Sequence, residues 1–191
     1  MNLMRLFLGF PASEKYTSLC IDFIRNFPEA NIRWVNPQNF HVTAIFIGEY
    51  PYKHVNELCM NLQNQITSLP APKLPFDKFT YVEKDNSQKM IWAQFKKTDE
   101  FDFIVNKASS ILKLMIRSYN IKNIKIDTEK ERIPHITLAR LKESYIPYPP
   151  IPEQYQNITL PDLVLNKIVL YQSIYHLEEV EYREIAPIRL K

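Results

Sequence analysis

The chain has 191 residues, 46% of them apolar, a formal net charge of +3, and only two glycines against fourteen prolines. At the usual glycine usage of about 7%, roughly thirteen would be expected, and Gly9 and Gly48 lie far apart. Phosphate-cradling loops need several glycines within a few residues and are excluded, and the mild charge falls short of the basic stripe of a duplex binder.

Leu3 to Phe10 reads as a buried strand and not as a leader, because Arg5 interrupts it and Pro11, Glu14 and Lys15 follow directly. Ser13 is placed to cap a helix carrying Tyr16, Leu19, Cys20, Phe23, Ile24 and Phe27 at helical spacing, which Pro28 ends. Residues 33–35 and 40–47 read as strands around an Asn-Pro turn, and His54 to Ser68 as a second helix. Pro70, Pro72 and Pro75 break the chain before a hairpin of Phe76–Val82 and Met90–Phe95. A long helix over Asp99–Tyr119 presents Phe103, Ile104, Ala108, Ile111, Leu112 and Met115 as its apolar stripe. His135 to Leu141 reads as a strand, the prolines at 147, 149, 150 and 152 as a stiff loop, and 163–173 and 182–190 as the closing strands.

Several strands are joined by connections too short for a parallel crossover. The expected fold is α+β, with two largely antiparallel sheets, flanking helices and a central cleft. Each half holds strands, a helix and one histidine-bearing strand, so residues 1–191 are expected to form a single domain of two lobes related by a pseudo-two-fold. Cys20 and Cys59 read as reduced thiols on apolar helix faces, and no run approaches the roughly 18 apolar residues of a membrane span. A monomeric cytoplasmic protein without a membrane partner is expected.

Two of the four histidines share one pattern, His41-Val-Thr43-Ala and His135-Ile-Thr137-Leu. In a strand, residues two apart point to one face, about 6.6 Å apart, so each copy sets an imidazole beside a hydroxyl. A single copy is most simply a hydrogen-bonded face residue. Two copies, one per half, suit phosphodiester chemistry. One neutral imidazole takes a proton from a nucleophile, and one imidazolium gives a proton to the leaving oxygen. The hydroxyls donate to non-bridging oxygens as charge builds on them.

The stretch Arg33-Trp-Val-Asn-Pro-Gln-Asn-Phe-His41-Val-Thr43-Ala-Ile-Phe-Ile-Gly48-Glu49, with Pro134-His135-Ile-Thr137-Leu-Ala-Arg140 and the opening Arg5-Leu-Phe-Leu-Gly-Phe10, resembles the two-histidine (2H) phosphoesterase superfamily. Within it the likeness is to the bacterial and archaeal RNA 2′,3′-cyclic phosphodiesterases, also called 2′-5′ RNA ligases. The chain departs from that pattern at Ala44, where a larger apolar residue is usual, and at Glu178–Tyr182, where a Gly-Pro pair often stands. The resemblance implies metal-independent hydrolysis of 2′,3′-cyclic phosphates, on RNA ends or nucleosides, to 2′-phosphates, with no cofactor. By the same implication His41 protonates the leaving 3′ oxygen, His135 activates water, Thr43 and Thr137 hold the phosphate, and Phe7 stands at a base-stacking position.

Arg132 and Arg140 flank the second motif and are candidates to meet RNA phosphate, although strict alternation turns both away from the His135 face unless a bulge intervenes. Lys122, Lys125 and Lys130 are candidates to steer RNA, diluted by Asp127, Glu129 and Glu131. His54 and His176 lack a threonine two places on, and no histidine, cysteine or carboxylate cluster has the spacing of a metal site. The rival readings are a non-catalytic RNA-binding module and a 3′-end RNA exonuclease of the same superfamily.

Overall fold

Alternation along the first strand separates two faces that organise everything after it. In the computed structural model, which describes residues 2–27, 32–84, 88–122, 124, 126, 132–141, 148–176 and 180–191, β1 (Leu3–Pro11) sends Leu6, Leu8 and Phe10 into the main core. Phe7 points the other way, into a small separate cluster with Val169 and Tyr171. Helix α1 (Glu14–Arg25) follows, its first turn capped by Ser13 Oγ accepting from the Tyr16 amide at 3.3 Å. It buries Tyr16, Cys20 and Phe23. Pro28 lies outside the described residues.

β2 (Arg33–Trp34) and β3 (His41–Pro51) are separated by a single 3-10 turn at Pro37–Asn39, opened by Asn36 Oδ1 accepting from the Gln38 amide. Helix α2 (Val55–Ile66) buries Val55, Leu58, Leu62 and Ile66, one residue per turn of a 3.6-residue period. The proline-rich break holds β4 (Lys73–Leu74) before the hairpin of β5 (Phe76–Lys84) and β6 (Gln88–Phe95). In α3 (Asp99–Ser118) the buried stripe runs through Phe101, Ile104, Val105, Ala108, Ile111, Leu112 and Met115. Phe103, expected in that stripe, is 57% exposed, because it falls two residues off the period that starts at Phe101.

β7 (His135–Leu141) is followed by a short α4 (Glu153–Gln156) among the prolines, then β8 (Leu163–Val164), β9 (Lys167–Tyr175) and β10 (Val180–Arg189). The single strand expected over 163–173 is thus divided. Leu165 donates to the Pro72 carbonyl, so the first piece serves the small β4–β8 sheet, and the second joins the main sheet.

Among the described residues the main sheet has eight strands, in the order β10-β9-β1-β3-β7-β6-β5 with β2 also paired to β7. Every registered pair between these strands is antiparallel. Side chains of α1, α2 and α3 join one core with one face of this sheet. Phe23 stacks on Phe79 at 4.1 Å between ring centroids, and burying such a side chain stabilises the fold by roughly 1.5–3 kcal/mol. The two halves of the sheet meet at β3 and β7, where Val42 opposite Ile136 is the registered pair. Among the described residues, no helix is long and apolar enough to cross a membrane. Cys20 and Cys59 are free thiols.

Candidate active site

The two motifs lie on the two adjoining central strands, and their geometry repeats. Val42 and Ile136 are both fully buried and point into the helix-covered core. Their neighbours His41, Thr43, His135 and Thr137 are therefore on the opposite face. Because β3 and β7 are antiparallel with Val42 opposite Ile136, His41 falls on the side of Thr137 and Thr43 on the side of His135. Two imidazoles and two hydroxyls make a two-by-two array with a local two-fold through the Val42–Ile136 pair.

Both histidines are oriented alike by the backbone just before them. His41 Nδ1 lies 2.6 Å from the Asn39 carbonyl oxygen, and His135 Nδ1 lies 2.8 Å from that of Ile133. A carbonyl only accepts, so each Nδ1 carries the proton and each Nε2 is left for chemistry. His41 Nε2 stands 3.1 Å from Thr43 Oγ1. With a neutral imidazole, the hydroxyl donates to that nitrogen.

Each ring also rests on an aromatic from the next strand outward. Trp92 of β6 stacks on His135 at 3.5 Å and 11°. Phe7 of β1 lies 5.0 Å from His41, with Tyr182 edge-on at 5.1 Å. Room for this arrangement comes from Gly9, where a Cβ would meet His41 Cδ2 and Phe7 Cε2, each at 3.2 Å. The other glycine, Gly48, has φ +82° beside a bulge in β3, a backbone region that disfavours other residues.

Burial pushes the His41 imidazole down to about 4, with the Arg140 guanidinium adding to the shift and the Asn39 carbonyl opposing it. In the free protein at neutral pH, His41 is uncharged. Burial likewise raises the neighbouring Tyr171 and Tyr182 phenols, and Arg140 works against the rise at Tyr182 first by its positive charge and then by a hydrogen bond to its hydroxyl.

Arg140 is five residues after His135, and strict alternation would turn it into the core. A bulge reverses this. Trp92 lies opposite Thr137 while Ile91 lies opposite Ala139, so Leu138 is an extra residue in β7 and Arg140 emerges on the histidine face. β3 carries the same device. Leu8 lies opposite Ile45 and Gly9 opposite Thr43, which leaves Ala44 as the extra residue. The two strands share one burial pattern as far as Leu141, and Phe46, 67% exposed, holds the place that Arg140 holds in the second copy.

The remaining candidates divide. Phe7 is 2% exposed and is enclosed by His41, Tyr171 and Tyr182, so its ring backs the histidine face from beneath. Arg132 reaches Asn106 of α3 at 3.4 Å. His54 stacks on Tyr119 at 3.9 Å, and His176 pairs with Glu181 at 3.1 Å. Lys122 is exposed, and Lys125 and Lys130 lie outside the described residues. Among the described residues no three histidine, cysteine or carboxylate side chains gather as a metal site. Motif spacing did not single out Trp92, Tyr182 or Phe46, because their place beside the motifs depends on strand pairing and bulges.

Residues 9–92, a span that includes the first motif, match the family model described as LigT like Phosphoesterase. An RNA 2′,3′-cyclic phosphodiesterase of Aquifex aeolicus is 25% identical over 178 residues, covering 91% of this chain and 90% of the relative. One from Thermotoga maritima is 22% identical over 142 residues, 73% of this chain and 71% of the relative. The crystal structure of Escherichia coli LigT complexed with NADP+ shares the fold, with a TM-score of 0.72, 19% identity and 99% of both chains covered. The chain is thus similar to the LigT like Phosphoesterase model over residues 9–92 and to RNA 2′,3′-cyclic phosphodiesterases over most of its length, and it shares the fold of a LigT structure.

Proposed function

We propose that this protein hydrolyses 2′,3′-cyclic phosphate ends of RNA or nucleotides to 2′-phosphates by acid–base catalysis at His41 and His135, without a metal ion. The observation that carries this reading is the two-fold array of His41, Thr43, His135 and Thr137, with both Nδ1 atoms tied to backbone carbonyls. The names of the relatives, RNA 2′,3′-cyclic phosphodiesterase, support the substrate class.

Water attacks phosphorus as one imidazole Nε2 takes its proton, the P–O3′ bond breaks, and the other Nε2 gives a proton to the departing oxygen. Thr43 and Thr137 donate to the non-bridging oxygens, where charge increases in the transition state. The resemblance assigns the acid role to His41 and the base role to His135. His41 is neutral in the free protein, so the acid role requires proton uptake on binding. The negative charge of a bound cyclic phosphate opposes the Arg140 field and favours the imidazolium. The two free thiols fit a cytoplasmic setting.

Incubation with adenosine 2′,3′-cyclic phosphate in excess EDTA, with phosphorus NMR of the product, tests the reading. A 2′-phosphate formed at an EDTA-insensitive rate supports it. Absence of turnover together with salt-dependent RNA binding would favour the binding module instead.

A further inference from the structure

The stack of Trp92 on His135 is closer than two neutral rings favour. Its centroids are 3.5 Å apart at 11°, against 3.9 Å for His54 on Tyr119 and 4.1 Å for Phe23 on Phe79. Carbon atoms in contact are about 3.5–4.0 Å apart, so this pair has no room for lateral offset. Neutral aromatic pairs prefer offset or edge-on packing to such a sandwich. An imidazolium, by contrast, is attracted to the negative face of the indole, and tryptophan is the strongest of the aromatic partners for a cation.

The indole nitrogen points the same way. Trp92 is 9% exposed, and its Nε1 is buried with no hydrogen-bond partner among the described residues. A buried donor left unpaired costs free energy. Phenylalanine would fill apolar space there without that donor, so packing alone does not account for an indole. The first copy has no such face. Trp92 lies opposite Thr137 where Gly9 lies opposite Thr43, and the ring beside His41, Phe7, is tilted by 40° at 5.0 Å.

Charged groups approach His135 from several strands. Gln94, opposite His135, donates to Asp77 of β5 at 2.9 Å, and Lys78 lies opposite Gln94. Arg132 precedes His135 in the chain, Arg140 follows it on the same face with Arg33 of β2 opposite, and His41 stands on β3. Contacts that His135 makes besides the stack are common to wild type and variant, so the difference between them reads the indole.

We propose that Trp92 is a positioning residue for this site: its indole face fixes the plane of the His135 ring and stabilises the positive charge that the ring gains on taking a proton from water. This rests on the function proposed above, in which His135 is the base. Stabilisation that grows with the charge acts on the transition state more than on the ground state, and so raises kcat.

The indole is changed by Trp92→Leu, by Trp92→Phe, and by 5-fluorotryptophan in place of both tryptophans, which weakens the negative face and barely alters the shape. Trp34, the other tryptophan, packs edge-on against Phe23 and Phe27 in the helix-covered core. The His135 ring is titrated by proton NMR in the free protein, its signal identified by its loss in His135→Gln. Profiles of kcat and kcat/KM against pH are measured with adenosine 2′,3′-cyclic phosphate. The His135 midpoint and the acidic limb of kcat/KM are expected to move together to lower pH, least for fluorotryptophan and by about 1 pH unit for Trp92→Leu. Plateau kcat falls about tenfold in Trp92→Leu with KM nearly unchanged, and Trp92→Phe recovers part of the loss. Should Trp92→Leu fail to fold, the fluorotryptophan protein and Trp92→Phe decide the matter.

A lowered plateau with an unmoved midpoint overturns the proposal, because lost packing alone would do that. An alkaline limb that moves in place of the acidic one overturns it too, since His135 would then lose charge in the transition state. A midpoint that falls with the indole, in a protein whose wild type turns over no cyclic phosphate, would uphold the hold of Trp92 on the His135 charge and overturn the proposed reaction.

Discussion

Val42 lies opposite Ile136, and this one buried pair joins two strands that carry the same motif. Antiparallel pairing of like motifs generates a local two-fold, which sets each histidine beside the other copy's threonine. The array is placed by the two strands, and the carbonyls of Asn39 and Ile133 just before them orient its rings.

His41→Ala and His135→Ala should each lower kcat for a 2′,3′-cyclic phosphate by about 10²–10⁴, because each removes a positioned proton-transfer group. Thr43→Ala and Thr137→Ala should lower kcat by about 10²–10³, with KM moving less. Steady-state kinetics on folded variants, checked by circular dichroism, decide it. A variant lacking either imidazole that still turns over at the wild-type rate would be incompatible with the mechanism.

Arg140→Gln should raise the His41 pKa from about 4, since Arg140 helps to hold it down. Which limb of the pH profile of kcat/KM moves then assigns the roles. An alkaline limb displaced to higher pH identifies His41 as the acid, and a displaced acidic limb identifies it as the base.

The same shift makes a stability prediction with a definite sign. An exposed imidazole titrates near 6.5, and His41 in the folded chain near 4. Between those values the unfolded chain binds the proton more readily, so stability falls as pH drops through that window. The loss is about 3 kcal/mol at most. Above pH 6.5 this contribution is fully present. Urea unfolding at pH 7 and pH 4.5 should show the difference in the wild type and a smaller one in Arg140→Gln. A His41 ring signal titrating at 6.5 in the free protein would contradict it.

Gly9→Ala should cut kcat by about tenfold or more while leaving the protein folded. The added Cβ meets two ring carbons, those of His41 and Phe7, at 3.2 Å. A small misplacement of a catalytic group can cost up to about 10²-fold. An unchanged kcat would show that the His41 ring has another place to go.

Phe46→Ala should cost little stability, because the ring is 67% exposed. It lies opposite Phe7 as Thr43 lies opposite Gly9, two β1 residues apart, or about 6.8 Å. A nucleobase extending from a phosphate at Thr43 would meet it. Loss of stacking should raise KM for a nucleoside cyclic phosphate by roughly fivefold or more and leave a base-free cyclic phosphate unaffected. Equal effects on both substrates would assign the ring to structure alone.

Most elements were legible because periodicity and capping are local properties. Ser13 marked the start of α1, the spacing of Val55, Leu58, Leu62 and Ile66 marked α2, and both motif strands showed alternation. The two-residue strand β4 was not legible, since two residues carry no period, and neither was the division of 163–173 into β8 and β9 nor the one-turn α4 among prolines. Phe103 was misplaced for a related reason: the apolar run 101–105 in α3 supports more than one stripe until packing selects Phe101.

By itself, the sequence determined that no glycine-rich backbone cradle for phosphate can form, since two distant glycines cannot build one. It also determined that two imidazole–hydroxyl pairs would project from strands. Only the tertiary structure decided that Val42 meets Ile136, that Gly9 clears space for His41, and that extra residues at Ala44 and Leu138 turn Phe46 and Arg140 onto the histidine face. A bulge is a mismatch between two strands, so no single strand's alternation can reveal it.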